Sequence, residues 1–573
     1  MFPGMLSRRA AGIAVSLAVP LLFVLAGTRT APVVASRLTA TWGGGQTAVW
    51  VQNLDPRNAA LVIARFYTVP GDPPQPPVVV ERRAVPPWGV TVFSSPLAEG
   101  VPGAAGNLDK YALIIESDRH VAAINVTDEP FNGSAVAYND APISQDVVVP
   151  LAVSNFTKQE GGTEVSSMVS VESAHPSAEL QATFFSRLWS HDLINGKRIY
   201  KSQSTPPVTL NSGGRGEGGT WPLDMENDFA QGPKPERYEG SVGWLLLHAP
   251  TGNQLASQSF ASLQLMNRSP AGFNSFAVSS FPGVPFDQRS NRLFVPLFRS
   301  QFFGITGISV VNPDPVNSVR LRATYYVSEL SGRECVTQAG TAVAHKSDDG
   351  SEWITIGPQQ NEVLYQIGRD SPATTPRIQA PGSYGDPRLF PRCFGSAVLQ
   401  VDPNTSGTVI AMVNDFYVDP AKRVATADAD QAMRFEDSSA TVAVPMVVHD
   451  QTPVDGAIYP TAATGIQIMN VDETPANVSI SFVRPEGAFG PATTVATRSM
   501  TIERNRAATI YTGAIPELAG QRGFRGSAVI RSAGGQRLLS TVTVVRGGRD
   551  SMSYNAFKAE FGAPSGALSS VSR

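Results

Sequence analysis

The chain has 573 residues, 45 of them basic and 48 acidic, for a net charge of −3; the length admits roughly three to five domains, and the balance excludes the basic surplus of a dedicated nucleic-acid binder. Its 51 glycines and 45 prolines disfavour long helices and suit many short strands joined by turns. Two cysteines are too few for a zinc ribbon or finger.

At the N-terminus Arg8 and Arg9 precede an apolar run from Ala10 to Ala26, and Val33-Val34-Ala35-Ser36 offers small or apolar residues for cleavage after Ala35. This predicts a secretory signal peptide over residues 1–35. The alternative is an uncleaved anchor, because 17 apolar residues lie at the short end of a spanning helix. Ser7-Arg8-Arg9 hints at export in the folded state, but Ala10-Ala11 is not the bulky apolar pair that should follow. No later run is long and apolar enough to cross a bilayer, so the mature chain is expected to have no transmembrane span.

One pattern then occurs four times. Trp50-Val51-Gln52-Asn53 leads through Asp55-Pro56 to Ala60, Val62, Ala64 and Phe66, apolar residues on one face of a strand. Val169-Ser170-Val171 leads through His175-Pro176 to Leu180, Ala182 and Phe184. In the third instance Gly307 to Val311 leads through Asn312-Pro313-Asp314-Pro315 to Val319, Leu321, Ala323 and Tyr325. Its prolines bias the residues before them away from helix, and Asn312 and Asp314 are placed to cap local backbone groups. The fourth runs from Ile466 to Asn470, through Asp472 and Pro475, to Val478, Ile480 and Phe482. The interval from asparagine to aromatic is 13 residues for Asn53 to Phe66 and for Asn312 to Tyr325, and 12 for Asn470 to Phe482, which marks an internal repeat.

Other markers keep the same spacing. Val149-Pro150, Val295-Pro296 and Val444-Pro445 stand 146 and 149 residues apart, and proline there suits the rim or edge of a sheet. Middle strand pairs are expected around Trp88-Gly89 and around Asn505. Gly395-Ser396-Ala397-Val398 and Gly526-Ser527-Ala528-Val529 are near-copies, with Gly240-Ser241-Val242-Gly243-Trp244 and Tyr111 to Ile115 as looser versions, each expected to begin a hairpin. The predicted fold is all-β, with four tandem antiparallel β-sandwich domains of about seven strands each. They are placed at 38–143, 146–290, 292–438 and 440–560, and residues 561–573, rich in Ser, Gly and Ala, are expected to be a disordered tail. Insertions at 70–77, 189–221 and 328–351 follow the aromatic strand and would crowd one end of each sandwich, where variable loops carry binding.

The entry Val-Pro, the Asn-turn-aromatic strands and the Gly-Ser-Ala-Val segment together resemble the tandem Ig-like β-sandwich repeats of secreted bacterial cell-surface proteins. The resemblance covers nearly all of the mature chain and implies a structural, adhesive or scaffolding role without catalytic residues.

The search for chemistry returns little. There is no Gly-x-Ser-x-Gly elbow, His-Glu-x-x-His or phosphate-binding loop. The six histidines are dispersed; His191-Asp192 and His449-Asp450 are the nearest to a base and its orienter, but adjacent strand residues face opposite ways. Ser347 to Glu352 clusters three carboxylates round Gly350, without EF-hand spacing, and reads as a solvated acidic turn. No catalytic or metal site and no cofactor is therefore expected. Trp244 and Trp353 lie in strand patterns and read as core. Trp189 and Trp221 bracket the second insertion and are the candidate binding residues, for a cell-wall or surface glycan. Six Asn-x-Ser/Thr sequons stand at Asn125, Asn132, Asn155, Asn267, Asn404 and Asn477. Cys335 and Cys393, both in the third repeat of an exported chain, are expected to form a disulfide. The favoured reading is a secreted, non-enzymatic structural or adhesive surface protein, with self-association through edge strands. The alternatives are a carbohydrate-binding module array and an extracellular hydrolase whose site is assembled between repeats.

Overall fold

Period-2 alternation places side chains as the sequence dictates. Val319, Leu321, Ala323, Tyr325 and Val327 are buried, while Arg320 is exposed and Arg322, Thr324 and Tyr326 are half-exposed. The computed structural model describes residues 33–38, 46–68, 79–94, 111–128, 135–139, 144–154, 156–157, 163–173, 178–188, 200–210, 212–214, 217–224, 241–250, 252, 255–267, 273–300, 305–331, 335, 340–345, 351–365, 393–419, 424–449, 462–485, 492–519, 524–546 and 550–559. Of the expected leader over 1–35, residues 1–32 lie outside these residues, as does the expected tail over 561–573.

Thirty-two principal strands fall into four groups of eight. The first is β1 (Val33–Leu38), β2 (Gln46–Asn53), β3 (Ala60–Thr68), β4 (Val79–Val85), β5 (Val90–Ser94), β6 (Tyr111–Ser117), β7 (Val121–Asp128) and β8 (Ala135–Asn139). The second is β9 (Asp146–Ser154), β10 (Thr163–Ser173), β11 (Ala178–Leu188), β12 (Tyr200–Ser204), β13 (Glu217–Asp224), β14 (Ser241–His248), β15 (Leu255–Asn267) and β16 (Phe273–Pro282). The third is β17 (Arg292–Ser300), β18 (Ile305–Val311), β19 (Val319–Val327), β20 (Ala342–Ala344), β21 (Asn361–Tyr365), β22 (Cys393–Val401), β23 (Ile410–Asp419) and β24 (Val424–Gln431). The fourth is β25 (Thr441–His449), β26 (Ala462–Asn470), β27 (Ala476–Pro485), β28 (Ala492–Ile502), β29 (Ala507–Tyr511), β30 (Phe524–Ser532), β31 (Leu538–Arg546) and β32 (Asp550–Asn555).

All the sheets are antiparallel, and one strand order recurs: β1-β6-β3-β4 with β5-β2-β7-β8, then β9-β14-β11-β12 with β13-β10-β15-β16, and so on through the third and fourth groups. In the last two groups the sheets also touch at single residue pairs, Ser300 with Ile305 and His449 with Ala463. Each pair of sheets closes on an apolar core, such as Val49, Val62, Phe93 and Ile115 in the first group. The architecture is an all-β sandwich, with eight principal strands per group among the described residues. It does not follow the immunoglobulin order, in which the sixth and seventh strands are neighbours in one sheet.

That order corrects the expected hairpins. β22 lies between β17 and β19, whereas β23 lies between β18 and β24, so the Gly-Ser-Ala-Val segment leads into an arch from one sheet to the other. β4 to β5 and β28 to β29 are arches too, not strand pairs. Period-2 alternation reports which face of a strand is buried but not which strand lies beside it, so a hairpin and an arch read alike.

The Val-Pro markers sit inside their strands rather than at a rim. The register of β17 on β22 shifts between Val295 and Phe298, and that of β25 on β30 between Val444 and Val447; β9 on β14 shifts opposite Gly243 and Leu245. Pro150, Pro296 and Pro445 thus occupy β-bulges, which tolerate a residue without an N–H. Across from each bulge is a glycine with no room for a side chain. A Cβ would lie 1.9 Å from the Phe185 carbonyl oxygen at Gly243, 2.0 Å from that of Tyr326 at Gly395, and 2.2 Å from that of Val483 at Gly526. The counterpart in the second group is therefore Gly243, three residues beyond the expected Gly240. The first sandwich also begins earlier than residue 38. Val33 and Val34 pair with Ser117 and Glu116 of β6, so the expected cleavage point after Ala35 falls inside β1.

Val33–Arg573 makes up one compact unit, and its four sandwiches pack in a closed cycle. The eighth strands β8, β16, β24 and β32 meet in succession, and β32 returns to β8. Trp244 and Val148 pack against Val311 and Ile410 between the second and third sandwiches. Phe294 and Met433 pack against Met469 and Leu539 between the third and fourth. Trp50, Val90 and Ile124 of the first join the core of the fourth.

Candidate functional site

Asn53 and Asn470 end the second strand of their groups, Asn312 directly follows it, and all three are buried. Each Nδ2 bridges two arches. Asn53 donates to the carbonyls of Asn58 at 2.8 Å and Val85 at 3.0 Å; Asn312 to Asn317 at 2.8 Å and Gly357 at 2.9 Å; Asn470 to Thr474 at 2.8 Å and Ile502 at 2.9 Å. The local caps expected of Asn312 and Asp314 are also present, since Asp314 N–H donates to Asn312 Oδ1 at 3.2 Å and Asn317 N–H to Asp314 Oδ1 at 2.8 Å. The local turn motif carried the first half of this role; the reach to a second arch 32 to 45 residues away had no sequence signal.

The clamped arches present Trp88, Gln359 and Asn505 at φ 58°, 54° and 59°, left-handed conformations that cost a side-chain-bearing residue about 1 kcal/mol or more. Each carbonyl is turned toward the neighbouring sandwich, where it accepts a hydrogen bond from the residue following a bulge-facing glycine. Trp244 Nε1 donates to Gln359 O at 3.2 Å, Ser396 Oγ to Asn505 O at 2.7 Å, and Ser527 Oγ to Trp88 O at 3.1 Å. The last bond joins the fourth sandwich to the first, and Arg531 stacks over the Trp88 ring there at 5.0 Å.

The densest collection of ionisable groups lies in the seam between the third and fourth sandwiches. Asp415 on β23 stands directly opposite Asp428 on β24, and Asp430 follows two residues on, on the same strand face. Arg299 pairs with Asp415 at 3.1 Å, and Thr306 Oγ1 also donates to Asp415. Across the seam Ser551 Oγ donates to Asp428 Oδ2 at 2.7 Å, and Asn555 Nδ2 to Gln431 O at 2.7 Å. By surface area Asp430 is only half-buried, yet it lies deep among neighbouring atoms, and loss of water together with Asp428 and Asp415 pushes its pKa well above the carboxylate range. The crowding by two like charges gives that direction at either degree of exposure. The cavity they line with Pro296, Thr541 and Ser553 has a volume of about 10 Å³, space for a single water.

The disulfide is formed between Cys335 and Cys393, with Cα atoms 4.9 Å apart. Trp189 lies outside the described residues. Trp221 is on β13 opposite Val171, and its side chain also lies outside the described residues. Trp244 is core, stacked on Phe185 at 4.3 Å, and Trp353 is half-buried beneath Arg320 at 5.5 Å. His191, Asp192 and Asp450 lie outside the described residues. His449 is buried, with neither ring nitrogen hydrogen-bonded among the described residues. Of the acidic turn, Ser347 to Gly350 lie outside, and Glu352 pairs with Arg322 at 3.0 Å. His248 Nδ1 lies 2.6 Å from Asp146 Oδ1, a cross-strand pair within one sheet of the second sandwich rather than a cleft between sandwiches. Among the described residues no group of three or more His, Cys, Asp or Glu could hold a metal ion, and no helix is long and apolar enough to cross a membrane.

No protein-family model and no curated protein matches the chain. Among solved structures it is similar to the "Structure of Glycoside Hydrolase family 32 from Bifidobacterium adolescentis", at 10% identity over 91% of this chain and 95% of that one, with a TM-score of 0.13. A likeness that low carries no argument.

Proposed function

We propose that the chain is a secreted, non-enzymatic structural or adhesive component of the cell surface, built of four repeats of one sandwich unit. The carrying observation is the recurrent lock between sandwiches, in which the residue after a bulge-facing glycine bonds an arch carbonyl of the next sandwich and the last lock returns to Trp88 of the first. Such a unit offers a rigid body that displays loops, the arrangement by which scaffolds position binding segments. The buried Cys393 in its disulfide and the leader-like N-terminus agree with an oxidising, exported location. The carboxylate seam is the one feature that speaks for a hydrolase between repeats, but a cavity of about 10 Å³ does not admit a sugar ring.

Fractionation of the producing cell with electron microscopy of the purified protein tests this reading. The expected result is disulfide-bonded protein at the surface or in the medium, as single bodies or in ordered assemblies. Retention in the cytoplasm with both thiols free would overturn it.

A further inference from the structure

Three carboxylates and one guanidinium meet where β24 packs on β32. If Asp415, Asp428 and Asp430 were all ionised, Arg299 would leave a net charge of −2 in a seam where water is scarce, and like charges directly opposite on neighbouring strands repel. Among the described residues, the groups that face Asp430 include one cation: β23 contributes Asp415, β24 contributes Asp428, β17 contributes Arg299, β31 contributes Thr541 and Thr543, and β32 contributes Ser551, Ser553 and Tyr554. β16, which packs on β24 from the second sandwich, carries no charged residue in its span. Arg299 is committed to Asp415 at 3.1 Å. The residue after Asp430 is Gln431, whose carbonyl accepts the Asn555 bond that ties the two sandwiches together.

We propose that this seam is a pH-sensitive latch, closed while Asp430 carries its proton and loosened when that proton is lost. Ionisation sets Asp430 against Asp428 and Asp415, and relief comes from letting water in, which strains the adjacent Gln431–Asn555 bond and the Ser551–Asp428 bond. The sign follows from the raised value in the folded chain. Relative to an unfolded carboxyl near pH 4, Asp430 leaves the fold at full stability below that pH, and the stability is lost as pH rises through the folded value. Rising pH opens the latch, and falling pH keeps it shut.

Hydrogen exchange on the full chain, with intrinsic rates divided out, reads the seam directly in peptides of β23, β24 and β32 against β27 as an internal reference. Between the unfolded carboxyl value near pH 4 and the raised value in the folded chain, protection of the seam peptides should fall by up to about tenfold per pH unit and level off above it, while Asp430→Asn makes it flat. Asp428→Asn removes one repelling charge, returns Asp430 toward its ordinary value, and should make the loss of protection smaller and end it at a lower pH, which keeps the proposal testable if Asp430→Asn does not fold. Infrared spectroscopy adds a signature, a protonated-carboxyl band present in the native protein and absent from Asp430→Asn. Seam protection independent of pH in the native chain, or the same pH dependence in Asp430→Asn, would overturn the latch.

Discussion

Asp314 shows how much a single half-exposed side chain does in an arch. Its Oδ1 accepts the N–H of Asn317 and of Val316, both at 2.8 Å, and those two bonds hold its pKa below the ordinary carboxylate value. A lowered value contributes stability above the unfolded carboxyl range near pH 4 that is lost as pH falls through the folded value. Asp314→Asn keeps the acceptor and removes the proton site. Acid titration followed by circular dichroism should therefore show a shallower loss of stability below pH ~4 than in the native chain. An unchanged acid limb would count against the assignment. The bulge-facing glycines make a harsher demand. Gly395→Ala drives a Cβ toward the Tyr326 carbonyl oxygen, 2.0 Å away, and the backbone shift required should cost about 2–3 kcal/mol in denaturant unfolding. Gly465→Ala, whose Cβ would lie 3.4 Å from Gln467 Nε2, should cost less.

Strands and their tethers set the next level of organisation. The disulfide ties the segment after β19 to the first residue of β22 across a sequence separation of 58, and chain-entropy reasoning puts its contribution at up to ~4 kcal/mol. Paired replacement by serine and alanine should lower the stability of the third sandwich by that order, seen as lost hydrogen-exchange protection confined to β19 and β22. Protection lost evenly over all four sandwiches would mean that they unfold as one unit. At the other end of the chain, β1 needs Val33 and Val34 for its pairing with Ser117 and Glu116. Sequencing of protein recovered from the cell surface or medium should find an N-terminus at or before Val33, leaving β1 whole, and a start at Ser36 would show that the first sandwich does without half of that strand.

Closure of the cycle is a property of the whole molecule. It rests at one point on Trp88, whose carbonyl accepts the Ser527 bond and whose ring lies under Arg531. Removing the ring and the hydroxyl together, as Trp88→Ala with Ser527→Ala, should release the first sandwich from the fourth and raise the radius of gyration measured by small-angle scattering. Ser396→Ala at the equivalent lock between the third and fourth sandwiches should cost about 1–2 kcal/mol without the same expansion, because an apolar seam of Phe294, Met433, Met469 and Leu539 remains there. Identical scattering from the native and doubly substituted proteins would show that the cycle does not depend on this contact.

The strand character of the chain was written in residues close to one another. Alternation in Val319 to Val327, the prolines and asparagines of the turns, and the Gly-Ser-Ala-Val copies all act through local backbone preference and through which face must be apolar, so the all-β class and the disulfide could be read without a fold. What those residues do not encode locally is the identity of their neighbours. Whether β22 and β23 pair or stack, whether Pro296 marks a rim or a bulge, and whether the fourth sandwich returns to the first are settled by contacts hundreds of residues apart, such as Ser527 with Trp88. The carboxylate seam was illegible for the same reason. Asp415, Asp428 and Asp430 read as ordinary strand polarity until β24 is laid against β32, where scarcity of water and the pairing of Arg299 with Asp415 turn three unremarked residues into an electrostatic problem.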